Sequence, residues 1–305
     1  ESGGYLVRTN KTGFRSEHNF NIHKQNNVTR IMLFGDSFTA GDGVSNNKRY
    51  SEILERDITN LEVFNFGLSG SGTDQQYLAY QTFAKNIDHD ILVIAVLVEN
   101  IRRVASHYRY FYVGQGKKLV YAKPFYELEN DKLILKQCPP AKELIEENNL
   151  TNSEKKTIDR GGRFELLRKI AIKAGLKNLV QKIIKYNPIP EYNSPKNYVW
   201  LVMRKILETW IIQHQKHVIL MPLPLYQHVE GNSDPTSYQE RFKELADDTG
   251  CLLHDPLTDL LKYTTEQKRN FRFEHDIHLT PEGHRAIADS LAPAIKKLLK
   301  TQKRV

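Results

Sequence analysis

The stretch Ile31-Met32-Leu33-Phe34-Gly35-Asp36-Ser37-Phe38-Thr39 joins a short apolar run to a glycine, an acid and a serine. The apolar run is typical of a buried strand, and the glycine allows the chain to turn sharply as it leaves the strand. Ser37 then lies at the carboxyl end of the strand, where parallel sheets bind their ligands. Taken alone, the segment is equally compatible with a tight turn in which Asp36 and Ser37 only cap a helix.

Further apolar runs follow, and helical patterns separate them. The candidate strands are residues 61–66, 91–98, 218–221 and 251–253. Residues 91–98 are unbroken and rich in β-branched side chains, which indicates a central parallel strand covered on both faces. Apolar spacing predicts helices near 50–58, near 77–84 with Asp74 as the cap, at 198–213, at 238–247 and from Pro281 onward. The alternation predicts one α/β domain over residues 1–305, a doubly wound three-layer sandwich with about five parallel strands.

Residues 101–197 interrupt this rhythm, and we interpret them as an inserted or lid subdomain. They contain an aromatic run at 108–112, a predicted hairpin around Leu119 and Leu133, and a basic amphipathic segment at 163–186. The basic segment suits either the solvated outer face of a lid helix or contact with an anionic membrane surface or polysaccharide.

The composition narrows the classes of partner. Lys and Arg number 44 against 36 Asp and Glu, and the net charge of +8 favours anionic partners. The chain carries no nucleic-acid-binding motif, so we predict no nucleic-acid partner. Two cysteines exclude a disulfide framework. The first residue is Glu1 rather than Met, so we expect that N-terminal sequence has been removed, and a signal or anchor there would fit export.

Polar groups also follow the second and third strands. A glycine-rich turn at 67–72 follows residues 61–66, and Gly70 in it allows a backbone N–H to approach a ligand and to stabilise an oxyanion. Asn100 stands just after residues 91–98, so its side-chain amide can reach the same place. The alternatives are an ordinary flexible turn and a helix cap. The glycine-rich turn fits neither a dinucleotide-binding nor a P-loop pattern, and we expect no cofactor.

A histidine near the C-terminus is the candidate base. His278 lies just before the predicted last helix. If the segment is extended, Asp276 points to the same side and orients the imidazole, whereas a helical turn would make Glu274 the partner. The helix start at Pro281 leaves the preceding residues non-helical, which favours Asp276.

The other histidines have two alternative interpretations, as zinc ligands or as residues with purely structural roles. Asp276, His278 and His284 form a candidate zinc set with His275 nearby, but the spacing is not the helical His-Glu-x-x-His pattern and no cysteine is close, so we predict no metal. We expect His284 to pack or cap at the start of the last helix, and His214 and His217 to be surface or capping residues.

These elements, in this order, resemble the SGNH (GDSL) hydrolase family. The first block matches Gly35-Asp36-Ser37, and the second-block glycine, third-block asparagine and fifth-block histidine match Gly70, Asn100 and His278. The resemblance covers residues 31–100 and 218–292. Two positions depart from the pattern, because Ile101 and His275 stand where the family usually has Asp. Residues 9–15 resemble the lead-in of bacterial, often envelope-associated members, which favours an exported or envelope location.

The resemblance implies a flavodoxin-like sandwich and a carboxylic ester hydrolase. Ser37 would be the nucleophile, His278 the base and Asp276 its orienting acid, with Glu274 as the other candidate acid. The Ser37 and Gly70 N–H groups and the Asn100 amide would hold the oxyanion, without metal or cofactor. The expected substrate is an acylated saccharide, above all an O-acetylated one, or another small ester. The alternatives are a sugar O-acyltransferase with the same triad and a non-catalytic saccharide-binding or assembly protein on the same fold.

Overall fold

The central sheet contains the predicted strands, all of them parallel. This computed structural model describes residues 4–112, 118–159, 186–214 and 217–302. The sheet strands are β1 (Thr29–Gly35), β2 (Leu61–Gly67), β3 (Ile91–Leu97), β9 (His217–Leu223) and β10 (Leu252–Leu253). Their order is β10-β9-β3-β1-β2. Read from the β2 edge, this is the flavodoxin-like order, and it confirms the predicted doubly wound fold. The order reverses between β1 and β3, where such sheets open a crevice at their carboxyl ends.

Most predicted helices form close to the expected bounds. The described helices are α1 (Ser37–Ala40), α2 (Tyr50–Asp57), α3 (Thr73–Ala79), α4 (Asn100–Val104), α5 (Asn152–Lys156), α6 (Tyr198–Gln213), α7 (Tyr226–Val229), α8 (Thr236–Thr249), α9 (Leu257–Leu260), α10 (Thr265–Arg269) and α11 (Pro281–Gln302). Shorter helical turns are Asn46–Lys48, Glu147–Asn149 and Pro190–Tyr192, and a π-helical turn at Tyr80–Ala84 extends α3. Among the described helices, none combines the length and apolar character that crossing a bilayer requires.

The prediction that Asp74 caps α3 is wrong. The N-cap of α3 is Gly72, and Asp74 lies in the first turn, where it is fully buried. Its carboxylate accepts a hydrogen bond from Lys123, which is also buried. Because an unpaired buried charge is costly, this ion pair explains how an acid is kept in the interior.

Aromatic packing holds the sheet between two groups of helices. Every residue of β3 is buried, as predicted for a strand covered on both faces. Phe34 stacks on Phe66 of the neighbouring strand with ring centroids 4.8 Å apart, and Trp210 of α6 meets Phe34 edge-on at 5.2 Å. Helix α6 contacts α3, α4 and α8, whereas α2 contacts α11. Burial of this apolar surface supplies the main favourable term in folding.

The region at 101–197 contains two hairpins where one was predicted. Strand β4 (Tyr108–Tyr112) pairs with β5 (Lys118–Ala122), and β6 (Phe125–Glu129) pairs with β7 (Lys132–Lys136). A short strand β8 (Ile158–Asp159) joins β4.

The expected hairpin around Leu119 and Leu133 is therefore wrong in its pairing, because Leu119 pairs with Phe111 and Leu133 with Leu128. Asn130 and Asp131 both take the left-handed conformation that closes a two-residue hairpin turn. The interpretation of 101–197 as an inserted subdomain remains a prediction. Of the basic segment at 163–186, all but Tyr186 lies outside the described residues.

The two histidines that flank the start of β9 have different environments. His217 is exposed, as predicted. His214 is buried rather than at the surface, but it is the C-cap of α6, which confirms the alternative prediction of a capping residue. Its Nε2 lies 2.8 Å from Nε2 of His89, and the two rings stack with centroids 4.5 Å apart.

His284 fills a buried position in the first turn of α11. Its ring stacks on Tyr50 at 5.8 Å, and its Nδ1 accepts the Tyr50 backbone N–H at 3.4 Å. Burial lowers the pKa of His284 to about 3, and the charges of Arg49 and Arg15 add to the effect. The ring is therefore neutral in the folded protein.

This burial predicts an acid-sensitive stability. Unfolded His284 titrates near pH 6.5, so only the unfolded state takes up a proton between about pH 6.5 and 3. The contribution of the buried, neutral His284 ring to the free energy of unfolding is therefore complete above pH 6.5 and is lost as the pH falls. We expect the stability advantage of the native chain over His284→Gln to shrink by up to about 1.4 kcal/mol per pH unit in this window. Urea unfolding from pH 7 to 5 measures it, with the exposed His217→Gln as control. Parallel pH profiles for native chain and His284→Gln would contradict it.

Candidate active site

Ser37 begins α1 directly after β1. A Cβ on Gly35 would lie 2.0 Å from Oγ1 of Thr39 and 2.9 Å from the Ala95 carbonyl, so only glycine permits the turn. Asp36 caps α1, and its carboxylate accepts the Phe38 N–H at 3.0 Å. The strand and the cap together fix the position of the Ser37 hydroxyl at the sheet edge.

The segment before α11 brings His278 to this hydroxyl. Nε2 of His278 lies 2.8 Å from Oγ of Ser37, across 241 positions of sequence. Nδ1 of His278 lies 2.7 Å from Oδ1 of Asp276, which also accepts the His278 backbone N–H at 3.1 Å. Glu274 is exposed and forms no hydrogen bond with His278. The geometry therefore joins Asp276, and not Glu274, to the imidazole.

The protonation states follow from these contacts. Partial burial acts to raise the pKa of Asp276. The hydrogen bonds that Asp276 accepts from the backbone and the imidazole of His278, together with the attraction between the two side chains, outweigh this effect and lower the pKa of Asp276. An ionised Asp276 keeps the neutral imidazole proton on Nδ1, which leaves Nε2 free to accept the Ser37 proton. The arrangement is thus able to activate a serine hydroxyl.

Two further predicted site residues follow β2 and β3 at the same edge of the sheet. Gly70 has φ +73°, within a turn closed by the Ser71 N–H to Leu68 carbonyl bond at 3.1 Å. Asn100 begins α4, and its amide is fully buried beside Asp36. The Asn100 side chain interacts with the Asp36 carboxyl and lowers its pKa, but among the described residues neither Nδ2 nor Oδ1 of Asn100 has a partner in good hydrogen-bond geometry. A buried donor in this state is the kind of group that a ligand oxygen satisfies.

Sequence reasoning missed the contacts of Asp36. Its side chain is fully buried, and its Oδ2 lies 3.1 Å from Nη1 of Arg103. Burial raises the pKa of Asp36, while Arg103 and the Phe38 N–H oppose that rise. Arg103 stands three residues after Asn100, and this helical spacing was a usable signal that the two share a face.

Arg109 is a second missed neighbour. It lies on β4, and a Cβ on Gly70 would stand 2.9 Å from its Nη1. The region at 101–197 therefore brings a guanidinium to the glycine-rich turn. No local pattern pointed to Arg109, because this contact depends on how β4 packs against the core domain.

The candidate zinc set does not assemble. His284 faces Tyr50 in the interior rather than joining Asp276 and His278. Within the described ranges, no group of three or more His, Cys, Asp or Glu side chains is placed to hold a metal ion.

A narrow apolar crevice lies beside the serine and histidine. Its volume is about 30 Å³. The crevice is lined by Phe38, which follows Ser37, and by Ile277, which precedes His278, together with Leu223 and Leu279. The ring of Phe38 also packs against the imidazole at 5.4 Å.

The chain is similar to several solved structures. A lipolytic protein of the G-D-S-L family from Veillonella parvula is 14% identical with a TM-score of 0.43, covering 87% of this chain and 96% of that one. The acetyl xylan esterase AlAXEase is 16% identical with a TM-score of 0.47, covering 87% and 99%. A lipase/acylhydrolase from Enterococcus faecalis is 16% identical with a TM-score of 0.47, covering 88% and 96%. No protein-family model and no curated protein matches the chain.

The site predicts a selectively reactive serine. We expect a fluorophosphonate to form one adduct, on Ser37, and His278→Gln to slow labelling by about 100-fold or more because the base is lost. Mass spectrometry of the labelled chain locates the adduct, and His275→Gln is the matched control because His275 is an exposed neighbour. Labelling of another serine, or equal rates in both variants, would contradict this assignment.

Proposed function

We propose that the chain is a serine esterase that removes acyl groups, above all acetyl, from a saccharide. The observation that carries the proposal is the continuous chain of contacts from Ser37 Oγ to His278 Nε2 at 2.8 Å and from His278 Nδ1 to Asp276 at 2.7 Å. A hydroxyl, an imidazole and a carboxylate in this order form the arrangement that acyl transfer uses on several unrelated folds.

The proposed reaction has two acyl-transfer steps. Ser37 Oγ attacks the ester carbonyl carbon as its proton passes to His278 Nε2, and Asp276 stabilises the imidazolium. The tetrahedral oxyanion is held by the Ser37 and Gly70 N–H groups and by the Asn100 amide. The imidazolium then protonates the leaving sugar oxygen, and the C–O bond breaks to leave an acyl-enzyme. Water then attacks the acyl carbon as His278 Nε2 takes its proton. The bond from the acyl carbon to Ser37 Oγ breaks, the imidazolium returns the proton to Oγ, and the carboxylic acid leaves.

Several features support a small acyl group on a bulky alcohol. The narrow apolar crevice lined by Phe38 and Ile277, the neighbours of Ser37 and His278, suits a small acyl chain. The Asp276 side chain is 55% exposed, so the histidine side of the site is open to a large leaving group. The net charge of +8 favours a saccharide that carries negative charge. The resemblance to SGNH hydrolases supports an acylated saccharide as the substrate.

Acetate release from a panel of O-acetylated glycans tests the proposal. We expect release by the native chain and a loss of at least about 10³-fold in Ser37→Ala, because the nucleophile is gone. A p-nitrophenyl ester series should favour acetate over octanoate by about tenfold or more, since the crevice is small. Undiminished release by Ser37→Ala would overturn the mechanism. Transfer of acetyl to added sugar, in preference to water, would instead assign an acyltransferase.

The identity of the acid is tested separately. We expect Asp276→Asn to lower kcat by about 100-fold or more, because the imidazole loses its orienting carboxylate. Glu274→Gln should stay within about twofold of the native rate, since Glu274 does not contact His278. Steady-state kinetics on p-nitrophenyl acetate compares them. The reverse ranking would make Glu274 the acid.

A further inference from the structure

One guanidinium joins three of the elements that the proposed oxyanion site requires. Nη1 of Arg103 donates to Oδ2 of Asp36 at 3.1 Å and to the carbonyl of Ser71 at 3.0 Å. Asp36 immediately precedes Ser37, and Ser71 immediately follows Gly70. Arg103 itself lies one helical turn after Asn100 on α4. The residue therefore contacts the neighbours of two proposed oxyanion donors and shares a short helix with the third.

The Asp36 side of this connection sets the orientation of the serine. Oδ1 of Asp36 accepts the Phe38 N–H at 3.0 Å, while Oδ2 binds Arg103. The carboxylate is fully buried, and the Arg103 side chain is only 17% exposed. Because a buried charge needs a partner, removing the guanidinium would weaken the hold of Asp36 on α1.

The Ser71 side sets the orientation of the glycine-rich turn. The Ser71 N–H and hydroxyl both donate to the Leu68 carbonyl, at 3.1 Å and 2.7 Å, which closes the turn around Gly70. The carbonyl of Ser71 accepts a hydrogen bond from Arg103. A Cβ on Gly72 would lie 3.0 Å from Cβ of Arg103, so the glycine allows the arginine stem to approach the turn.

We propose that Arg103 is a positioning residue that holds the Ser37 N–H, the Gly70 N–H and the Asn100 amide in one arrangement around the developing oxyanion. The inference rests on the proposed esterase function. Oxyanion donors stabilise the transition state only when they lie at the right distance from its oxygen. A small displacement of the turn therefore reduces the stabilisation of the transition state more than it reduces the affinity for the ester.

Arg103→Met tests this role, with Arg102→Met as the matched control. Arg102 lies on the same helix but binds Glu191 and the Pro188 carbonyl, away from the serine. We expect Arg103→Met to lower kcat for p-nitrophenyl acetate by about 10- to 100-fold, with KM within about twofold, since losing one donor outright costs about 10²–10³. The affinity for a boronic acid, which forms a tetrahedral adduct on Ser37, should fall by the same factor. Arg102→Met should leave both quantities within about twofold.

A double variant separates positioning from charge compensation. Asp36→Asn combined with Arg103→Met contains no uncompensated buried charge, and the amide oxygen introduced by Asp36→Asn can still accept the Phe38 N–H. The double variant therefore tests the proposal even if Arg103→Met alone fails to fold. We expect its melting temperature to approach that of the native chain while kcat stays low. Recovery of kcat with stability, or an equal loss of kcat in Arg102→Met, would overturn the positioning role. A native chain whose Ser37 resists the fluorophosphonate would instead overturn the proposed function itself.

Discussion

The site depends on the parallel register of β1 with its two neighbours. Gly35 pairs with Gly67, and Phe34 pairs with Ile94, so all three strands end at one edge of the sheet. The residues that follow them, Ser37, Gly70 and Asn100, are brought to this edge by backbone pairing. Because a one-residue slip would turn every side chain of β1 to the other face, core packing and site geometry are fixed by the same register.

Buried charge holds the site together where apolar packing ends. Asp36 and Asp74 are both fully buried, and each has one basic partner, Arg103 and Lys123 respectively. These pairs are weak evidence for stability, since desolvation offsets much of the attraction. They do specify geometry, because each buried carboxylate would be left as an uncompensated charge if its partner moved away. Lys123 and Arg109 both come from the region at 101–197, so that region is tied to α3 and to the glycine-rich turn.

Short-range sequence patterns were enough to predict the strands of the central sheet and most of the helices. Strand β3 is apolar throughout, and its burial on both faces is the reason it could be recognised. The proline at the start of α11 made the preceding segment non-helical, which favoured Asp276 over Glu274 beside His278. The same reasoning did not find partners that are distant in sequence. His214 is buried against His89, 125 positions away, and Asp74 binds Lys123 rather than capping its own helix.

The sequence by itself determined which segments form the strands of the central sheet, which glycines permit the turns, and which serine, glycine, asparagine and histidine stand at the ends of those elements. These features depend on side-chain size, periodicity and backbone conformation within a few residues. The packing of His284 at the start of the last helix was also predicted and is confirmed. Only the tertiary structure decided that Arg103 bridges Asp36 and Ser71 and that Arg109 lies against Gly70. Each of these contacts joins separate elements, and its distance is set by how the layers pack rather than by any local preference.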